Sequence, residues 1–169
     1  VVVAISKVTA EIVSTAAPDS YGGYIPHAVN SSIFKPFKAP EEKAAAADMR
    51  ERIIAQSTVG DNPQKKIFFW NNRNARRKQS GTLIWWFKEW LDKVGHDKAC
   101  LMMHTDAKDQ HGQDLPHLIN HLKIDAGQVL LSTEKISAED LSVLYNASDY
   151  TINISDAEGF GLATLESLA

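Results

Sequence analysis

The residues best suited to chemistry lie in the run Ser155-Asp156-Ala157-Glu158-Gly159-Phe160-Gly161-Leu162-Ala163-Thr164-Leu165-Glu166. Gly159 and Gly161 let a backbone approach a ligand closely and reach conformations closed to other residues. A helix opening just after this turn would present free N–H groups and a partial positive charge, which suits a phosphate. Glu158 precedes the turn, and Glu166 lies one to two helical turns beyond it. Two ionised carboxylates would repel a phosphate unless they address something else. The sensible targets are hydroxyl groups, because a carboxylate accepts two hydrogen bonds from a neighbouring diol. Phosphates in the middle with diols at both ends describe a nucleotide sugar, a suggestive ligand though not the only one. Upstream, the segment Asn72-Arg73-Asn74-Ala75-Arg76-Arg77-Lys78 is basic. Arg73 could chelate phosphate oxygens and Lys78 could add a point charge, while Arg76 and Arg77 read as an exposed basic loop.

These residues need elements to hold them, and the pattern from Lys66 onward is regular. Lys66–Asn71 reads as a strand, and Leu83, Ile84, Phe87, Leu91 and Val94 then recur at helical spacing up to Gly95. Ala99–His104 is the next strand and Asp114–Leu122 the next helix. Gln128–Ser132 is a third strand, and Ser137-Ala138-Glu139-Asp140, similar to a capping box, opens a helix through Tyr145. Tyr150–Ile154 is a fourth strand, followed by the glycine turn and a final helix. Four strand–helix alternations with short connections predict an α/β fold, a doubly wound parallel sheet of Rossmann type with both faces covered. Ligands of such sheets bind beyond the carboxyl ends of the strands, so functional residues are expected just after Asn71, His104, Ser132 and Ile154. Before this region come a strand at Val1–Ile5, a helix from Ser6–Thr9, a turn at Asp19–Gly23 and a strand near Tyr24–Ile25. Pro26, Pro36 and Pro40 then interrupt a connector, and Glu41–Gln56 is an alanine-rich, exposed helix.

The segment E-G-F-G-L-x-x-L-E resembles the E-x7-E signature of the retaining glycosyltransferases of group 1, which have the two-domain GT-B fold. Glu158 and Glu166 have the signature's spacing, with Ala163 where many members carry proline. The resemblance implies that Glu158 contacts the transferred sugar and Glu166 the ribose hydroxyls. The turn Gly159-Phe160-Gly161-Leu162 would then sit against sugar and diphosphate. Arg73 and Lys78 match the family's diphosphate-binding pair, although Asn72 and Gln79 stand where glycines are usual. Thr133, Lys135 and Ile136 follow the third strand, where the family places its nucleobase contacts. Ala4–Lys7 and Ile25–Asn30, with Phe34 and Pro36, resemble the end of the acceptor domain and the crossover between domains. The implied division is residues 1–40 for that end and crossover, and 41–169 for a nucleotide-sugar-binding domain incomplete at its C-terminus. The implied catalytic residues are Glu158, Arg73 and Lys78, the donor a nucleoside-diphosphate sugar, and the acceptor a glycan, lipid or protein. No metal or other cofactor is expected. The missing acceptor domain and the abrupt ends lead us to expect a fragment that is inactive by itself.

Composition limits the alternatives. The 169 residues are 44% hydrophobic and 23% charged, as in ordinary globular domains. A net charge of −3 argues against a general nucleic-acid binder. The single cysteine, Cys100, excludes an intrachain disulfide and fits a strand in the core. No apolar stretch is long enough to span a bilayer, and the expected location is the cytoplasm, free or peripheral to a membrane. Two rival readings remain: a non-catalytic nucleotide-binding or interaction module, and a metal-dependent hydrolase. The latter would draw on His104, Asp106, Asp109, His111, Asp114, His117 and His121. His117 and His121 could share a helix face, but no glutamate completes the H-E-x-x-H pattern. The aromatic stripe Trp85, Trp86, Phe87 and Trp90 is expected to pack through Phe87 at least.

Overall fold

The computed structural model describes residues Val1–Ala169. In chain order the elements are β1 (Val2–Ala4), α1 (Lys7–Ala16), β2 (Tyr21–Tyr24), α2 (Pro40–Gln56), β3 (Lys66–Asn71), α3 (Ser80–Val94), β4 (Ala99–His104), α4 (Leu115–His121), β5 (Val129–Ser132), α5 (Ala138–Ala147), β6 (Tyr150–Thr151) and α6 (Leu162–Leu168). They form a two-stranded sheet of β1 and β2 and a four-stranded sheet in the order β5-β4-β3-β6. Every strand pair is parallel.

The larger sheet is doubly wound because its strands are apolar on both faces. Side chains alternate along a strand. Ile67 and Phe69 of β3, with Cys100 and Met102 of β4, pack with Ile53 of α2 and Leu144 of α5. The intervening Trp70, Leu101 and Met103 face the other way, into Leu83, Ile84, Phe87 and Leu91 of α3 and Leu115 and Ile119 of α4. The register pairs Ile67 with Cys100 and Phe69 with Met102, keeping each set on one side. Helix α3 buries Leu83, Ile84, Phe87 and Leu91 of the stripe predicted for it, but leaves Val94 at its last position exposed and Trp85 and Trp86 about half exposed. Gly95 ends it at φ 109°, its N–H bonded to the Leu91 carbonyl.

Several boundaries differ from those predicted, each for a local reason. Pro40, read as a breaker, instead opens α2, since the first helical turn needs no N–H from it. The Glu42 side chain reaches back to accept the Lys38 and Ala39 N–H groups, each at 3.1 Å. The strand expected at Tyr150–Ile154 is regular only over Tyr150–Thr151. Ile152 N–H still reaches the Phe69 carbonyl at 2.9 Å, but the Asn153 side chain then accepts the Ser155 N–H at 3.0 Å and turns the chain. The strand expected near Tyr24–Ile25 occupies Tyr21–Tyr24, and Ile25 N–H adds one bond to the Ala4 carbonyl. The proline-containing connector is fastened to α5. Phe34 is buried edge-on against Tyr145, Ser142 donates to the Ile33 carbonyl, and Asn146 bonds the backbone of Phe37 and Lys35.

At the opposite end of the sheet from the β3–α3 loop, Asp149 ties β6 to β3 and α2. It accepts from the Ile67 N–H at 2.9 Å, from Arg50 at 2.7 Å and from Lys66 at 2.9 Å. Burial by itself would raise the Asp149 carboxyl, but these three donors outweigh it and hold it below the usual carboxylate range. The stabilisation is therefore complete above the unfolded-chain value of about 3.9 and is lost as pH falls through the lower folded value. Asp149→Asn is expected to cost about 2–4 kcal/mol in urea unfolding at neutral pH. Its deficit relative to the native chain should shrink on acidification below pH ~4. A deficit independent of pH would mean that charge is not what Asp149 contributes.

Candidate binding cleft

The strand order reverses at β3. The chain proceeds from β3 to β4 to β5 in one direction, then returns to place β6 on the other side of β3. The loops leaving β3 and β6 therefore part from the sheet side by side and open a crevice between them. That crevice is a cleft of about 440 Å³ lined by Arg73, Lys78, Glu158, Gly159, Phe160, Gly161, Leu162 and Glu166, together with Asn71, Asn72 and Ala163. Ile5 and His27 close it from the smaller sheet's side, with the His27 ring edge-on to Phe160 at 5.2 Å between centroids. Residues far apart in the sequence, Arg73 and Lys78 on one side and Glu158 and Glu166 on the other, thus share one cleft.

The two loops are stitched together. Lys78 is 5% exposed, and its ammonium pairs with Glu158 Oε2. A buried ammonium needs such a partner, since an uncompensated charge costs several kcal/mol. Glu158 Oε1 accepts from Asn153 Nδ2 at 3.0 Å, and the same amide reaches Thr164 Oγ1 at 3.1 Å. Burial would raise the Glu158 carboxyl, but the hydrogen bonds from Lys78, Asn153 and Ser155 hold it below the ordinary range. Asp156 N–H donates to the Arg77 carbonyl at 2.8 Å, and Gln79 Nε2 to Asp156 Oδ2 at 2.6 Å. Arg77, expected to be merely exposed, donates to the Ala157 carbonyl at 2.9 Å. Its role is to fasten one loop to the other. Gln79 takes the left-handed conformation, φ 57°, where the resembling family usually has glycine.

Arg73 is held from the side. Its Nε and one Nη donate to the two oxygens of Asp109 at 2.6 and 3.2 Å, and Asp109 also accepts the His111 N–H at 2.8 Å. The guanidinium, aided by that N–H, pushes the Asp109 carboxyl down to about 2. Beneath this pair Asn74 is fully buried. It donates to the Gln113 carbonyl and accepts from Ser80 Oγ, each at 2.7 Å, locking the loop after β3 to the loop before α4. Glu166 receives the Tyr145 hydroxyl at 2.9 Å. Burial raises its carboxyl above the usual value, a shift that this hydrogen bond opposes. The sequence does not single out Asn71, Asn74, Tyr145 or Asn153 as site residues, and it marks Asp109 only as a possible metal ligand. Only the position of Asn71 and Asn74 beside a strand end offered a signal.

Three expected contacts lie apart from the cleft. Thr133 and Ile136 line a separate cavity of about 460 Å³ between α2 and α5, with Glu134, Met49 and Arg52. Lys135 lines neither space. The histidine- and aspartate-rich stretch is dispersed among other tasks. Asp109 holds Arg73, Asp114 caps α4 by accepting the His117 N–H, and His104 bonds Ser132 at 2.9 Å. Burial lowers the His104 imidazole. The His117 and His121 rings lie 6.4 Å apart, and no group of three or more potential ligands converges anywhere in the chain. No helix is long and apolar enough to cross a membrane.

No protein-family model matches the chain, and no curated protein matches its sequence significantly. Solved structures do match its fold. A glycosyltransferase from Rickettsia africae ESF-5 superposes with a TM-score of 0.67 at 22% identity, over 98% of this chain and 41% of its own. The N-terminal domain of a Candida albicans trehalose-6-phosphate phosphatase gives 0.63 at 13% identity, over 86% and 32%. The catalytic domain of starch synthase IV from Arabidopsis thaliana, bound to ADP and acarbose, gives 0.59 at 14% identity, over 99% and 37%. The chain thus spans less than half the length of these three solved chains. At such identities the likeness establishes the fold: a Rossmann-like α/β domain of the kind that forms the C-terminal half of GT-B proteins.

The two glycines of the turn are not equivalent. Gly161 has φ 83°, whereas a side-chain carbon added at Gly159 would meet nothing within 4 Å. The freedom expected of both is therefore required of Gly161 alone, and Gly159 keeps the cleft wall low. Gly161→Ala is expected to lower stability by about 1–2 kcal/mol, the cost of a left-handed alanine. Gly159→Ala should change it by less than about 0.5 kcal/mol. Urea denaturation of both variants, read by circular dichroism, checks the contrast.

Proposed function

We propose that this chain is the donor-binding half of a glycosyltransferase that transfers a sugar from a nucleoside-diphosphate sugar with retention. The observation that carries the reading is the convergence of two cations, Arg73 and Lys78, and two carboxylates, Glu158 and Glu166, on one cleft at the reversal of strand order. In this reading Arg73 chelates the diphosphate and Lys78 adds a point charge, and both stabilise the departing nucleoside diphosphate without a metal. Glu158, with the Gly159–Leu162 turn, receives the hydroxyls of the sugar, and Glu166 those of the ribose. Thr133 and Ile136 line the separate cavity between α2 and α5 and Lys135 lines neither space, so a base could meet Thr133 and Ile136 only by reaching out of this cleft. Residues 1–40 then belong to the end of an acceptor-binding domain and the crossover, and 41–169 to the donor domain. The acceptor-side walls of the cleft, Ile5 and His27, fit that division.

Each cation is already paired within the chain, Lys78 with Glu158 and Arg73 with Asp109. A diphosphate would enter by sharing these cations with their carboxylates, and Glu158 would turn its accepting capacity to the sugar. A second reading has a specific observation in its favour. The fold also forms the N-terminal domain of a trehalose-6-phosphate phosphatase, so the fold by itself is compatible with a module that transfers no sugar. Turnover of a nucleotide sugar by a longer form of the protein separates the two.

Calorimetry with ADP, GDP and UDP and their sugars, with and without EDTA, tests the site directly. One base is expected to bind, insensitive to the chelator. Arg73→Ala and Glu166→Ala are each expected to weaken it by about 10- to 100-fold, as for loss of a hydrogen bond to a charged group. No binding by the folded chain, or no effect of either substitution, would remove the donor-site reading.

A further inference from the structure

Glu166 has one donor within the protein, the Tyr145 hydroxyl at 2.9 Å. That hydroxyl, on α5, meets the end of β3 and the start of α6. It accepts from Asn71 Nδ2, at the end of β3, at 3.0 Å, and it lies 3.1 Å from the Ala163 carbonyl in the first turn of α6. The ring packs edge-on against Phe69 of β3 and against Phe34 of the connector. Burial pushes the phenol well above its ordinary range, so it stays a donor at any physiological pH.

A hydroxyl has one proton and two lone pairs. Asn71 occupies a lone pair, so the proton must point to Glu166 or to Ala163. An ionised carboxylate is the stronger acceptor, and the shorter contact is to Glu166. A tyrosine that merely needed an acceptor has one in the Ala163 carbonyl and would not require the carboxylate. The carboxylate, by contrast, has no other donor to set its rotamer. One bond to Oε2 leaves Oε1 and the second lone pair of Oε2 for a ligand in the cleft.

We propose that Tyr145 is the positioning residue for Glu166: it orients the carboxylate so that both oxygens can receive a vicinal diol, with Asn71 directing the tyrosyl proton. The proposal rests on the donor-site reading, in which that diol is the ribose of the nucleotide. It makes recognition of ribose depend on a side chain of α5 that does not touch the ligand. Loss of the hydroxyl alone should therefore weaken ribose-dependent binding without touching the diphosphate interaction.

Tyr145→Phe keeps the ring and its packing, and the full chain carrying it can be titrated with three probes. These are whichever of ADP, GDP and UDP binds, its 2′,3′-dideoxy counterpart, and inorganic pyrophosphate. The expected result is a loss of about tenfold for the ribonucleotide, a change of less than about twofold for the dideoxynucleotide, and no change for pyrophosphate. Equal losses for all three probes would mark Tyr145 as a general structural residue and overturn the proposal. So would an unchanged ribonucleotide affinity in Tyr145→Phe while Glu166→Ala weakens it, a result that leaves the donor-site reading standing. If the native chain binds no nucleotide, or Glu166→Ala has no effect, the donor-site reading fails and this proposal falls with it.

Discussion

Between β3 and β6 the strand order turns back on itself, and the geometry of the cleft follows from that reversal. Parallel strands require crossover helices, and crossovers of one hand put α3 and α4 on one face of the sheet and α5 on the other. Where the direction changes, no helix crosses above the junction, so the loops after β3 and β6 stand apart with a crevice between them. The reversal needs a sheet that is apolar on both faces. The alternation Ile67, Phe68, Phe69, Trp70 and Cys100, Leu101, Met102, Met103 supplies it, one set packing on α2 and α5 and the other on α3 and α4. A strand with one polar face could not have carried helices on both sides.

Once the loops are adjacent, electrostatics decides how they sit. Lys78 is almost wholly enclosed and draws Glu158 across the crevice, so the cation and the carboxylate are fixed by the same contact. The backbone bond between Asp156 and Arg77 and the side-chain bonds of Arg77 and Gln79 repeat the link along the seam. Arg73 is treated in the same way by Asp109, from the loop after β4. Each cation facing the cleft is thereby pre-oriented by a carboxylate, which lowers the ordering cost of binding an anion but also sets a competitor for it. The arrangement resembles a site whose charges are balanced before the ligand arrives.

Much of this was legible in the residues. Hydrophobic period marked all the strands and helices of the larger sheet, because a side chain's direction in a strand or helix depends only on local geometry. The glycine turn with flanking glutamates, and the basic run after β3, stood out because charges and glycines are costly or useful only at particular places. Element ends were less legible. Pro40 opening α2 and the early end of the strand at Thr151 were decided by hydrogen bonds to side chains, of Glu42 and of Asn153, that no periodicity reports. Asn74, Tyr145 and Asn153 escaped notice, and Asp109 stood out only as a possible metal ligand, because asparagines, aspartates and tyrosines are common on surfaces. Their partners separate those four from other residues of the same types, with full burial added only for Asn74.

The sequence by itself determined the fold class, the order of the elements and the identity of the four charged residues on which the proposed chemistry rests. These follow from local patterns: the spacing of apolar side chains, the placing of glycine, and the separation of Glu158 from Glu166. The tertiary structure alone decided that Arg73 and Lys78 share a cleft with those glutamates, that Asp109 and Tyr145 hold Arg73 and Glu166, and that the histidine-rich stretch is dispersed. Those are contacts between residues distant in the chain. The meeting of the two cations with the two glutamates exists only because the strand order reverses at β3, which no local pattern encodes.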